Sequence, residues 1–87
     1  MPGKIFVIYK VSSKEPDDTK KLAEQLKSLK NATVKDVKTE PIGFGIEVIK
    51  VGVLVDEKNP DAVEKTLEEI RKNPLVQDAQ TDAMTLL

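Results

Sequence analysis

The chain contains neither cysteine nor histidine, and the two absences exclude much of the chemistry that proteins perform. Without cysteine there is no disulfide, no thiolate metal site and no thiol nucleophile. Without histidine the chain lacks the most frequent general base and the most frequent transition-metal ligand. The composition therefore argues against thiol and histidine chemistry. We expect that the protein is not an enzyme, and we predict no catalytic residue, no metal site and no cofactor.

Aromatic residues are scarce, and neither sign of charge dominates. The chain has one tyrosine, Tyr9, and two phenylalanines, Phe6 and Phe44. Charged residues make up 33% of its 87 residues, yet the net charge is −1. Nonspecific binding of nucleic acid needs clustered positive charge, so this balance argues against it. A chain of this length is predicted to form one domain over residues 1–87.

Long apolar runs are absent as well. The most apolar stretch is interrupted by Lys50 and Gly52 and falls short of the roughly 20 residues that a membrane-spanning helix needs. The N-terminal residues lead directly into a strand pattern, so we expect no signal peptide and no contact with a membrane. A cytoplasmic location is the expectation that follows.

Hydrophobic periodicity predicts six elements in the order β-α-β-β-α-β. The predicted strands lie near residues 5–11, 32–40, 44–56 and 75–86, and the predicted helices near residues 17–30 and 60–72. The first strand is apolar on both faces over its first half, which favours a central place in the sheet. Between Val34 and Val37 the spacing departs from period 2, which indicates a bulge or an edge strand.

Both predicted helices carry an apolar stripe at positions i, i+4 and i+7. The stripes consist of Leu22, Leu26 and Leu29 in the first helix and Val63, Leu67 and Ile70 in the second. Asp17 or Asp18 is the expected cap of the first helix, and Asn31 is its expected left-handed stop. Asn59 is the expected N-cap of the second helix, with Pro60 in its first position.

This element order predicts an α+β fold of the ferredoxin-like type. Its sheet has four antiparallel strands in the order 4-1-3-2, and both helices cover one face. Because the fold hosts many unrelated functions, the functional argument depends on individual residues.

The most informative segment is the glycine-flanked aromatic at residues 41–46. It consists of Pro41, Ile42, Gly43, Phe44, Gly45 and Ile46. Glycine on each side removes the Cβ atoms that would shield the ring, and it frees the backbone for positive φ. An exposed phenyl ring suits an apolar pocket on a partner protein. From composition alone, the competing interpretation is a turn whose Phe44 folds back onto the core.

The segment at 41–46 and the run Glu47-Val48-Ile49-Lys50-Val51-Gly52-Val53-Leu54-Val55-Asp56-Glu57 resemble the elongation factor 1-beta family. The resemblance is strongest to the small archaeal type and extends loosely over nearly the whole chain. It implies a guanine-nucleotide exchange factor for the GTPase elongation factor 1-alpha. It also implies that Phe44 reaches into the GTPase and that the other five residues of the segment belong to the same partner-binding site.

The C-terminus departs from the family pattern. Eukaryotic members have a lysine next to last, which intrudes at the magnesium and phosphate site of the GTPase. Alignment of Ala83 and Met84 with the closing segment of the family places Leu86 at that position, and no lysine follows Lys72. We therefore interpret the tail as a strand end that packs Met84 and Leu86. Exchange would then proceed without that lysine or with a cation presented from elsewhere in the fold.

Other charged groups are expected to be solvated. The lysines of the first helix form an exposed face. In each acidic pair on a helix, the two adjacent side chains point in different directions around the helix axis, so the pair is not expected to hold a metal ion. Gly43-Phe44-Gly45 lacks the lysine and the hydroxyl residue of a phosphate-binding loop, so the chain is not expected to bind GTP itself.

Two other classes of protein remain as alternatives, and the sequence argues against a third. A small-molecule-binding regulatory domain of the ACT kind has the same fold and often uses loop glycines. An RNA-binding module of the RRM kind needs stacking aromatics on the two central strands, and the third strand has none after Phe44. An acylphosphatase-like enzyme needs an arginine in the first loop, whereas Arg71 is the one arginine of the chain.

Overall fold

The computed structural model describes residues 3–86, which form four strands, one 3₁₀ turn and two α-helices. In chain order these are β1 (Lys4–Ser13), the 3₁₀ turn (Pro16–Asp18), α1 (Thr19–Leu26), β2 (Thr33–Gly43), β3 (Ile46–Asp56), α2 (Asp61–Arg71) and β4 (Val76–Leu86). The predicted β-α-β-β-α-β order is confirmed. No helix within residues 3–86 is long and apolar enough to cross a membrane.

The four strands form one antiparallel sheet in the order β2-β3-β1-β4, as the ferredoxin-like prediction requires. β1 is central, and β2 lies at one edge. The pairing of β2 with β3 shifts register between Val34 and Asp36, so β2 is both the edge strand and the bulged strand that the spacing indicated. At one end of the sheet Ile5 pairs with Leu86, and at the other end Ser13 pairs with Val76.

The core lies between the helices and one face of the sheet. Alternate residues of the two central strands are buried there, in agreement with period 2. They are Val7, Tyr9 and Val11 of β1 and Ile49, Val51, Val53 and Val55 of β3. Against them pack Leu22 and Leu26 of α1 and Val63, Leu67 and Ile70 of α2. Each such aliphatic side chain contributes about 1.5–3 kcal/mol relative to exposure.

Tyr9 is the one large polar side chain in this core. Its ring is fully buried, and its hydroxyl donates a hydrogen bond of 2.8 Å to the carbonyl oxygen of Val63 in α2. Burial raises the pKa of Tyr9 from 10.0 to about 12, because the phenolate would lose its hydration. Tyr9 therefore ties the central strand to α2 as long as it is protonated.

The first helix differs from the prediction at both ends. Its N-cap position is Asp18, but neither Asp18 nor Asp17 caps it with a side chain, because the 3₁₀ turn precedes it. It ends at Leu26, and Leu29 packs half-buried against the core from the loop that follows. Among residues 3–86, Phe44 alone of the non-glycine residues has positive φ, so the expected left-handed stop at Asn31 is wrong.

The carboxylate of Glu69 on α2 replaces that stop. It accepts hydrogen bonds from the backbone N–H groups of Lys30 and Asn31, and the Asn31 side-chain amide donates a further bond of 2.9 Å. The segment after α1 is therefore held by the second helix and not by its own backbone conformation.

The start of the second helix is shifted by one residue from the prediction. The N-cap position is Pro60, and the helix begins at Asp61. Asn59 contributes its backbone carbonyl, which accepts a bond of 3.0 Å from the N–H of Ala62, and no side chain caps the helix.

Candidate functional site

The six residues singled out in the sequence lie together at the tip of the hairpin between β2 and β3. Gly43 pairs with Ile46, so the loop between the two strands consists of Phe44 and Gly45. Pro41 pairs with Glu47, and Ile42 is therefore an extra residue that has no partner in β3. The hairpin thus places the whole predicted segment at one end of the sheet.

The backbone of this tip is left-handed over three successive residues. The φ angles are 113° at Gly43, 55° at Phe44 and 72° at Gly45. A two-residue loop of type I′ needs positive φ at both central positions, because only then does its twist match that of the strands. A Cβ added to Gly43 or Gly45 would contact nothing within 4 Å, so conformation and not space requires glycine there.

Phe44 adopts this conformation although it carries a side chain. For a bulky residue a positive φ is an outlier that costs on the order of 1–2 kcal/mol. Burial of the ring does not offset this cost, since the solvent exposure of Phe44 is 104% of the reference value for an exposed phenylalanine. The interpretation in which Phe44 folds back onto the core is therefore wrong.

The residues around Phe44 extend the apolar tip. Ile42 is 55% exposed and Ile46 is 50% exposed. Pro41 lies in the edge strand, where the absence of an N–H group is tolerated. Proline and the extra residue at Ile42 both hinder the pairing of another chain with this edge, so the tip offers side chains and not a free strand edge.

A segment that the sequence analysis did not single out lies beside the base of the hairpin. The end of β1 and the 3₁₀ turn border a groove of about 220 Å³ there, which Ser12, Ser13, Lys14, Pro16, Thr19, Ile46 and Glu47 line. The hydroxyl groups of Ser13 and Thr19 lie 3.0 Å apart, and Ser13 also donates to the carbonyl oxygen of Glu15. No motif in the sequence marks this segment, because it comes beside the hairpin only through the pairing of β1 with β3.

The C-terminal strand ends at the opposite end of the sheet. Leu86 pairs with Ile5 and Met84 with Val7, whereas the hairpin extends beyond the pair Val11–Ile49. The side chain of Met84 is 55% exposed and that of Leu86 is 68% exposed. The expectation that the tail packs these two residues is therefore wrong, although the tail is a strand end as expected.

The four lysines that the sequence analysis assigned to the first helix are exposed, as expected. Lys20, Lys21, Lys27 and Lys30 are all exposed. Within residues 3–86 no group of three or more acidic side chains is arranged to hold a metal ion.

Comparison with known proteins identifies the family to which this chain belongs. The model of the EF-1 guanine nucleotide exchange domain matches residues 6–87. A protein of Methanoregula boonei called elongation factor 1-beta is 33% identical over 87 residues, which cover 97% of this chain and 98% of that protein. A protein of the same name from Methanocorpusculum labreanum is 35% identical over 71 residues, which cover 78% of this chain and 81% of that protein.

Among solved structures, the ACT domain of a GTP pyrophosphokinase from Chlorobium tepidum has a TM-score of 0.69. The match covers 92% of this chain and 88% of that domain. At 12% sequence identity this likeness shows a common fold alone. The match to the exchange-domain model over nearly the whole chain is of a different kind, because it depends on the residues themselves. The chain belongs to the family of the EF-1 guanine nucleotide exchange domain.

Proposed function

We propose that this chain, as one domain over residues 1–87, promotes the exchange of GDP for GTP on elongation factor 1-alpha. The observation that carries the proposal is Phe44, a fully exposed aromatic on a strained backbone at the hairpin tip. Strain and apolar exposure both lower stability, and such outliers concentrate at functional sites. Membership of an exchange-domain family supports the same function.

In the proposed complex, Phe44 inserts into an apolar pocket of the GTPase. Pro41, Ile42, Gly43, Gly45 and Ile46 shape the surface around the ring. A central aromatic anchor typically contributes 2 kcal/mol or more to a protein interface. The left-handed tip holds the ring away from the body of the domain before binding, so little conformational freedom is lost when the partner closes around it.

Exchange then follows from linkage. A protein that binds the empty GTPase more tightly than the GDP-bound form weakens the affinity for GDP by the same factor. A thousandfold faster release needs about 4 kcal/mol of differential binding. No covalent bond forms or breaks in this step, and the factor itself holds no nucleotide and no cofactor.

The proposed location is the cytoplasm, where translation takes place.

The test is the release of labelled GDP from elongation factor 1-alpha with and without this protein. We expect release to accelerate with the concentration of the protein, and calorimetry of the isolated chain with GDP to show no binding. Unchanged release kinetics would overturn the proposal.

The ACT-like fold supports a second candidate, a regulatory domain that binds a small molecule. The same calorimeter distinguishes it, because saturable binding of an amino acid to the isolated chain would favour that candidate. We expect no such binding.

A further inference from the structure

The strands β1 and β3 separate at the base of the hairpin. The last pair between them is Val11 with Ile49, whereas β3 begins at Ile46. After this pair the chain stays beside β4, and the N–H of Lys14 donates a bond of 2.9 Å to the carbonyl oxygen of Leu75. The divergence leaves the groove of about 220 Å³ between the end of β1 and the first residues of β3, and we call it the base groove.

The base groove has room for a side chain from outside the domain. Ser12, Pro16 and Thr19 line it on one side, and Ile46 and Glu47 line it on the other. Most of the surface inside it is apolar, and no side chain within residues 3–86 fills it. An apolar cavity of about 150 Å³ already accommodates a benzene ring. The base groove is therefore large enough for one large aliphatic or aromatic side chain.

The polar groups of the groove are either satisfied within the domain or exposed at its rim. The Ser13 hydroxyl donates a bond of 2.8 Å to the carbonyl oxygen of Glu15 and lies 3.0 Å from the hydroxyl of Thr19. Within residues 3–86 no buried side-chain nitrogen or oxygen atom lacks a hydrogen-bond partner. Lys14 and Glu47 at the rim are exposed and carry opposite charges. A polar ligand would find no unpaired buried group, so the groove suits an apolar one.

The groove is continuous with the hairpin tip. Ile46 lines the groove and also follows Gly45 of the tip loop directly, and its side chain is 50% exposed. A partner that closes around Phe44 therefore meets Ile46 and, behind it, the base groove.

The ring of Phe44 is too small to form a stable interface without its surroundings. A buried aromatic side chain covers about 150–250 Å², whereas a stable interface takes about 800 Å² from each partner. The interface must therefore extend from the tip over neighbouring surface. On the face of the sheet that the helices leave open, two lysines and three carboxylates line the groove, and charged residues are depleted from interface cores. The base groove is the apolar continuation of the tip.

We infer that the base groove is a receiving site for elongation factor 1-alpha. One large apolar side chain of the GTPase enters the groove while Phe44 enters the GTPase. This inference rests on the proposed function and extends its site to the end of β1 and the start of α1. The two insertions point in opposite directions, so together they fix the orientation of the partner more tightly than the ring alone does.

The experiment fills the groove from within. Ser12 is half-buried and lines the groove, so Ser12→Leu places an isobutyl group where the side chain of the partner would lie. Ser28→Leu is the matched control, because Ser28 is exposed in the turn after α1 and lies outside the groove. Ser12→Val fills the groove less and suits a strand. The rate of labelled GDP release is measured against the concentration of each variant, alongside thermal melts.

For Ser12→Leu we expect the half-saturating concentration to rise about fivefold or more, and for Ser12→Val we expect a smaller rise. The melting temperature should be unchanged or higher, because the added group fills empty space. Ser28→Leu should stay within about twofold of the parent. Parent-like exchange by a folded Ser12→Leu protein would overturn the inference and leave the proposed function standing. An inactive parent protein would overturn the proposed function and the receiving site with it.

A second measurement needs no substitution. In cross-saturation NMR of the parent protein bound to nucleotide-free elongation factor 1-alpha, the amide signals of Lys14 and Thr19 should lose intensity together with those of the hairpin tip. Losses confined to the tip, or extending from it over the open face of the sheet instead, would contradict the inference.

Discussion

At the scale of single residues, Phe44 combines two features that each oppose stability. It is fully exposed, and it is the one non-glycine residue within 3–86 whose backbone lies in the left-handed region. A residue selected for stability at this position would be asparagine or glycine, which type I′ turns prefer. No packing within residues 3–86 accounts for the ring, which is why we propose a contact with a partner.

Replacement of Phe44 should separate function from stability. We expect Phe44→Ala to lower the exchange rate at least tenfold, about 1.4 kcal/mol or more, and to leave the melting temperature nearly unchanged. Phe44→Asn should also abolish most of the exchange activity and should raise stability by up to about 1 kcal/mol, because asparagine tolerates positive φ. GDP-release assays and thermal melts measure the two effects.

Phe44→Tyr is the matched control, since it keeps the aromatic ring, and it should retain exchange. A Phe44→Ala protein with full activity would show that the site lies elsewhere. A loss of about 3–5 kcal/mol of stability would instead be the behaviour of a core residue.

The raised pKa of Tyr9 predicts that the folded state loses stability at high pH. Its pKa is about 12 in the folded chain and near 10 when unfolded, so the folded state retains the proton more strongly. The corresponding stabilisation is present below pH 10 and is lost as the pH rises through 12. A shift of this size corresponds to about 2–3 kcal/mol.

Because Tyr9 is the one tyrosine of the chain, the absorbance of tyrosinate reports on it alone. The folded protein should titrate about two pH units above the chemically unfolded chain. The lysines also lose their charge in this range, so Tyr9→Phe serves as the reference, and its stability should fall less steeply above pH 10. A folded protein that titrates at the ordinary tyrosine pKa would contradict the prediction.

At the scale of secondary-structure elements, one side chain of α2, Glu69, holds the segment between α1 and β2. The carboxylate of Glu69 binds both backbone N–H groups at residues 30 and 31 and the Asn31 side chain. Those N–H groups begin the segment that leads into β2. Since β2 is one arm of the hairpin that carries Phe44, this clasp holds the chain where it enters the hairpin.

Removal of the clasp should weaken the domain. We expect Glu69→Ala to lower the free energy of unfolding by about 1–3 kcal/mol, because hydrogen bonds to a charged acceptor are lost together. Glu68→Ala is the control on the same helix, where the side chain is exposed and makes no hydrogen bond within residues 3–86, and it should change stability by less than about 0.5 kcal/mol. Denaturant unfolding measures both, and equal effects would show that the clasp contributes nothing.

At the scale of the whole molecule, the domain is elongated, with extents of 44 × 22 × 17 Å. The exposed large apolar residues within 3–86 fall into two groups, Ile42, Phe44 and Ile46 at the hairpin tip and Met84 and Leu86 near the tail. Because the strands are antiparallel and β3 runs the full length of the sheet, about 30 Å separates the two groups. The tail therefore cannot contribute to the surface that surrounds Phe44.

Leu86 tests whether the tail matters for exchange. Since its side chain is largely exposed, Leu86→Lys should shift the melting temperature by no more than about 1–2 °C. We expect the variant to retain exchange, and an increase would indicate that the tail reaches the magnesium site of the GTPase. Leu86→Gln is the uncharged control. A loss of exchange with the lysine alone would contradict the prediction.

Residues 3–86 also show how far sequence reasoning reaches in this protein. The element order, the central place of β1, the bulge in β2 and the two-glycine tip were all predictable, because each depends on periodicity or on backbone preference within a few residues. The two apolar stripes were predictable for the same reason, although Leu29 packs from a loop. Local chemistry was sufficient wherever the determining residues are neighbours along the chain.

Tertiary contacts determined the remainder. Lys30 and Asn31, in the segment after α1, are held by Glu69, which lies 38 residues away from Asn31 in sequence. Met84 and Leu86 have apolar side chains, yet both are exposed in the fold. Lys10, Lys38 and Lys50 become neighbours across β1, β3 and β2 only through the register of these three strands. Such contacts join residues far apart along the chain, and a window of local sequence contains no information on which distant residue will be the neighbour.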